Sequence, residues 1–128
     1  MPNYLVVQLK RFNNNNNKIT SLVKFPLDDL DLTKYISVEK EDPNNYIYTC
    51  YAVNYHSGST NSGHYWAACR GINNKWSMFN DADVSRCKTS DIVTKDAYVL
   101  FYYRKFIQPD TESCLCFLFR LVSIGVLC

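Results

Sequence analysis

The chain has 128 residues, 47% hydrophobic and 15% aromatic, with ten tyrosines and a formal net charge of only +2. That length fits one domain with a modest core and leaves no room for several. The basic residues are scattered and the pair Lys10-Arg11 is too short for a nucleic-acid stripe, so a protein or peptide is the default partner.

Residues 4–12 (Tyr-Leu-Val-Val-Gln-Leu-Lys-Arg-Phe) read as a strand, apolar at first and then alternating. The five asparagines at 13–17 cannot build a core but tolerate left-handed backbone angles, which suits an exposed hairpin tip. Residues 19–25 then read as the return strand, stopped by Pro26. Residues 28–36 read as a short helical turn or irregular connection, and 39–45 as a polar loop carrying Pro43.

The second half is more regular. Residues 46–56, rich in β-branched and aromatic side chains, read as a central strand, followed by a loop of small residues at 57–63. Residues 64–70 and 75–80 form two strands around the turn 71–74, Gly-Ile-Asn-Asn. A helical turn over 90–95 has Ser90 as its cap, and 97–104 is a last apolar strand. Residues 113–128 are apolar but fall short of the roughly 20 residues of a spanning helix and carry Arg120. They read as a greasy, non-native or alternatively spliced end rather than a membrane anchor.

None of the six cysteines forms a C-x-x-C pair; Cys114-Leu-Cys116 is one residue too tight for common zinc spacing. Cys69 and Cys87 likewise lack ligand spacing, so neither a metal nor another cofactor is expected. The opening Met1-Pro-Asn-Tyr-Leu5 lacks the basic flank and apolar run of a signal peptide. Free, mostly buried thiols in a reducing compartment are therefore expected.

The residues that carry chemistry surround the 71–74 turn. If Arg70 faces Lys75, His64 falls opposite Asp81 and Tyr65 opposite Asn80, to within one or two residues. Cross-strand neighbours lie roughly 4.5–5.5 Å apart at Cβ, so an imidazole and an Asn or Asp side chain can meet there. Such a pair is the base-plus-orienter half of a nucleophilic triad. It is also an ordinary cross-strand hydrogen bond. His56, in a similar Gly-rich setting, competes for the role, and geometry alone does not choose between the two histidines.

Four blocks carry a resemblance: Tyr48-x-x-Tyr51-Ala-Val-Asn-x-His56-Ser-Gly58, Ser62-Gly-His-Tyr-Trp66, Trp76-x-x-Phe79-Asn-Asp81-x-x-Val84 and Ala97-Tyr-Val-Leu-Phe-Tyr102. Together they resemble the histidine-box region of ubiquitin-specific proteases, papain-like cysteine deubiquitinases. Leu5-Val-Val-Gln-Leu-Lys-Arg-Phe12 and Val23-x-Phe-Pro26 with Asp29-Leu-Asp-Leu32 are similar to the segment before that box. The resemblance covers about residues 2–105, with several independent blocks in the right order. It implies an α+β fold, of which this chain is the β-rich C-terminal portion: the palm and part of the fingers, built on an antiparallel sheet. Residues 1–105 would be a partial catalytic domain and 106–128 an apolar tail outside the family pattern.

By position, the resemblance implies that His64 is the catalytic base, Asn80 the third triad member and Asp81 an acidic neighbour supporting it. It assigns His56 to a recurrent non-catalytic histidine, and Gly63 and Tyr65 to the groove for ubiquitin's Gly-Gly tail. The implied partners are ubiquitin and ubiquitinated proteins, in the cytoplasm or nucleus. The family's nucleophile lies in an Asn-x-Gly-x-x-Cys-[Tyr/Phe] box, and no cysteine here has those flanks. The expectation is thus a deubiquitinase fragment without its thiol and inactive alone, with a ubiquitin-binding or decoy module as the alternative.

Overall fold

The computed structural model describes residues 1–36 and 43–106. The apolar tail from 107 onward and part of the polar loop lie outside the described residues.

β-branched and aromatic runs form the strands, and the longest of them lies in the middle of the sheet. The strands are β1 (Tyr4–Gln8), β2 (Leu30–Asp31), β3 (Ile47–Gly58), β4 (Gly63–Arg70), β5 (Trp76–Asn80), β6 (Asp83–Cys87) and β7 (Ala97–Arg104). They form one seven-stranded sheet ordered β1-β7-β3-β4-β5-β6, with every pairing antiparallel. The short β2 pairs with the start of β3, below the point where β4 begins. Among the described residues the helices are short 3₁₀ turns at Thr33–Tyr35, Pro43–Tyr46 and Thr89–Asp91, none long and apolar enough to cross a membrane.

One face of this sheet carries the core. Tyr48, Cys50, Val53, Tyr55, Ala68, Trp76, Leu100 and Tyr102 project there, with Phe25, Leu27 and Ile92 packed over them. Two of the buried tyrosines keep their polar ends satisfied, as burial requires. Tyr55 donates to the Ile92 carbonyl and Tyr102 to the Pro26 carbonyl, each at 2.8 Å. Burial pushes both phenols well above their usual range.

The expected return strand at 19–25 does not form. Phe12 and Lys18 make a single bridge across the asparagine turn, closed by Asn13 Oδ1 accepting from the amides of Asn15 and Asn17. Beyond that bridge Arg11 takes the carbonyls a ladder would use. Arg11 is 2% exposed, and its guanidinium donates to Ile19 O at 3.1 Å, Ser21 O at 2.5 Å and Ala97 O at 3.0 Å. One half of the basic pair Lys10-Arg11 is thus an internal clamp. Replacing it leaves up to three carbonyls without a donor, each costing about 1–3 kcal/mol where fully buried. Arg11→Met is expected to lower unfolding free energy by about 2–4 kcal/mol in urea titrations, since two of the three bonds are only part-buried.

Three other readings shift. Residues 83–87, for which the sequence predicts no element, form β6. The turn near 90 is 3₁₀ and starts one residue earlier; Ser90 sits inside it, while the Lys88 amide donates to Asp91 Oδ2 at 3.2 Å. The β4–β5 connection holds five residues, not four: Gly71 N–H donates to Lys75 O and Arg70 pairs with Trp76. Asn74 supplies the left-handed residue, φ 58°, that this turn needs.

Candidate active site

The extra turn residue decides which side chains meet. Side chains of directly paired residues share a face, and alternation repeats every second residue. With Ala68 paired to Met78 and Arg70 to Trp76, the residues 64, 66 and 68 share a face with 76, 78 and 80. In the register expected from sequence, Asn80 would have paired with Tyr65 on the opposite face. In the observed one, His64 and Asn80 are diagonal neighbours. Nε2–H of His64 donates to Asn80 Oδ1 at 2.5 Å, because a carboxamide oxygen can only accept. This leaves Nδ1 of His64 as the lone-pair nitrogen, open to take up a proton.

Local structure orients both partners. His64 stacks on Trp66 (centroids 5.8 Å, 20°), and Trp66 stacks on buried Tyr55 (5.5 Å, 16°). Three rings therefore step from the surface into the core and restrict the plane of the outermost. Trp66 was legible only as part of a motif; its spacing of two from His64 on a strand was the available signal. Asn80 is the last residue of β5, paired with Asp83 across a two-residue turn. Asp81 occupies that turn with φ 52° and is exposed, so it is Asn80, not Asp81, that bonds the imidazole.

The two histidines separate cleanly. Ser57 pairs with His64 and His56 with Tyr65, so their imidazoles lie on opposite faces. His56 is 3% exposed. Burial, followed by the charge of Lys18, lowers its pKa against a smaller raising effect of Asp96. Of the two histidines, it is His64 whose ring bonds an Asn side chain, Asn80.

Gly63 and Tyr65 flank His64 on β4. A Cβ at Gly63 would fall on Nε2 of His56 and lie 2.5 Å from Ser57 O, so no side chain fits there. Its partner Gly58 has φ 113°, and Ser59 Oγ closes the 59–62 loop by accepting from the amides of Asn61 and Ser62.

None of the three described thiols is placed as a nucleophile. Cys50 is fully buried, which pushes its pKa to about 12. Cys69 pairs with Ser77 and so lies on the face opposite His64. Cys87 shares His64's face but pairs with Trp76, four residues along β6 from Asp83, or about 13 Å at strand rise; burial also raises its pKa. Cys69 and Cys87 face opposite sides of the sheet, which removes any shared metal site between them.

Comparison with known proteins gives one consistent answer. The profile of the family described as ubiquitin carboxyl-terminal hydrolase matches residues 1–102. Ubiquitin carboxyl-terminal hydrolase 2 of Bos taurus is 46% identical over 105 residues, covering 79% of this chain and 17% of that protein. Putative ubiquitin carboxyl-terminal hydrolase 11 of Arabidopsis thaliana is 43% identical over 117 residues, covering 88% of this chain and 13% of that one. Among solved structures, the SAGA DUB module Ubp8/Sgf11/Sus1/Sgf73 bound to monoubiquitin superposes with a TM-score of 0.72 at 33% identity, over 84% of this chain and 24% of that chain. The chain thus spans under a fifth of the length of these curated relatives.

Proposed function

Because the chain belongs to the ubiquitin carboxyl-terminal hydrolase family, we propose that it carries the base-and-orienter half of a thiol-dependent deubiquitinase site. The observation that supports this reading is the His64–Asn80 hydrogen bond on an exposed sheet end. In it, Asn80 Oδ1 holds the Nε2–H tautomer, and His64 Nδ1 takes the proton of a cysteine thiol. The thiolate attacks the carbonyl carbon of ubiquitin's C-terminal glycine. Imidazolium then returns the proton to the departing lysine or α-amine nitrogen, leaving a thioester. Water, deprotonated by His64, hydrolyses the thioester and regenerates the thiol. Gly63 and Tyr65, on either side of His64 along β4, line the approach for the Gly-Gly tail. The reaction calls for no metal or cofactor.

The nucleophile is not among Cys50, Cys69 and Cys87, and Cys114, Cys116 and Cys128 lack the flanks of a nucleophile box. These 128 residues by themselves are therefore expected not to hydrolyse ubiquitin conjugates. We place the work of the complete enzyme in the cytoplasm or nucleus, where a thiol stays reduced. The test is a graft. Residues 1–105 replace the matching segment of the bovine relative, which supplies the rest of its own chain, and turnover of a fluorogenic ubiquitin amide is measured. Turnover by the graft and none by the 128-residue chain is the expected pair. An inactive graft that still binds ubiquitin would instead favour a binding or decoy module, which the placement of the described thiols also suits.

A further inference from the structure

His56 takes no part in the chemistry above, yet its surroundings are unusually complete. Its backbone is held on both sides: the amide donates to Asp96 O at 3.0 Å and the carbonyl accepts from Lys18 Nζ. Its ring is packed by Tyr65 (4.5 Å between centroids), Tyr98 (5.7 Å) and Phe12 (5.9 Å). Nδ1 is buried with no hydrogen-bond partner, and Nε2 lies where a Cβ of Gly63 would be. A buried Nδ1 without a hydrogen bond forgoes the usual compensation for its burial. What it does make is contact with Gly63 and Tyr65, the residues on either side of His64.

Building on the reading above, we infer that His56 is a positioning residue for His64: its ring is a strut beneath Gly63 and Tyr65 that holds the end of β4 where His64 reaches Asn80. The orphaned Nδ1 fits this role, since a strut needs bulk at the Nε2 position and nothing bonded at Nδ1. The glycine at 63 fits it too, because the imidazole already fills the volume a side chain would need. Deleting the ring leaves a void under the residues flanking His64, and β4 can then settle toward the opposite face. His64 moves with it and loses its hydrogen bond.

The test reads the His64 ring directly, without turnover, in the full ¹⁵N-labelled 128-residue chain. Long-range ¹H–¹⁵N spectra are recorded at about pH 8, above the ordinary histidine pKa of ~6.5. The wild-type chain is expected to show His64 as a single tautomer with its proton on Nε2. His56→Ala is expected to give averaged tautomers at His64 while the strand amides stay dispersed. His56→Gln, which keeps an atom under Gly63 and cannot be charged, is expected to restore the single form. Should His56→Ala fail to fold, His56→Asn takes its place, being polar but too short to reach beneath Gly63. A single Nε2–H tautomer in the Ala or Asn variant overturns the inference, as does failure of Gln to restore it. A wild-type His64 that already averages its tautomers would instead overturn the underlying base-and-orienter reading.

Discussion

In the graft of residues 1–105 into the bovine relative, His64→Ala is expected to lower kcat/KM for a ubiquitin amide on the order of 10⁶-fold. The size follows from how triads fail: loss of the base leaves the thiol un-ionised in the ground state and the leaving nitrogen without its proton. Either member of a nucleophile–base pair then costs about as much as both. The structure makes this variant a clean probe. His64 is exposed and contributes no core volume, while Trp66 and Tyr55 keep their stack beneath it. Ubiquitin affinity should therefore stay within a few-fold of the parent graft. A loss of less than about tenfold in kcat/KM, with binding intact, would remove His64 from the role of base.

Why was so much of this site legible, and where did legibility stop? Strands β3, β4, β5 and β7 announce themselves because each is buried on at least one face and its residues repeat accordingly. β6 does not, since Asp83, Val84, Ser85 and Arg86 are all exposed and its turn is Asp81-Ala82, without the Asn-Gly signal of a tight hairpin. Residues 19–25 misled in the opposite sense. Ile19, Leu22 and Val23 have strand-like side chains, but they are 43%, 53% and 38% exposed, and the carbonyls of Ile19 and Ser21 go to Arg11. Local pattern reports what a segment can do; a clamp formed by a distant side chain is invisible to it.

Register was the finer failure. Reading the β4–β5 turn as four residues instead of five keeps His64 near Asn80 and Asp81 but reverses which of them shares its face. The question of His56 or His64, open from spacing alone, closes on the β3–β4 register, in which His64 pairs with Ser57 and so lies on the face away from that residue's neighbour His56. Neither answer required a new residue. Each required knowing the register across its own connection to within a single position.

The β4–β5 register carries a second large prediction. Asn80→Ala in the active graft is expected to reduce kcat/KM by roughly 10²–10⁴-fold, whereas Asp81→Asn should stay within about tenfold. The upper bound is what removal of a charged third member costs a serine triad. A neutral carboxamide orients the ring and supports the imidazolium only through its dipole, so the loss should fall at or below that figure. Asp81 is exposed in the turn with φ 52°, a conformation asparagine also accepts, so the exchange alters charge while sparing the backbone. If Asp81→Asn costs more than Asn80→Ala, the imidazole takes its orientation from the carboxylate during turnover, and the His64–Asn80 bond at 2.5 Å is a resting arrangement rather than the working one.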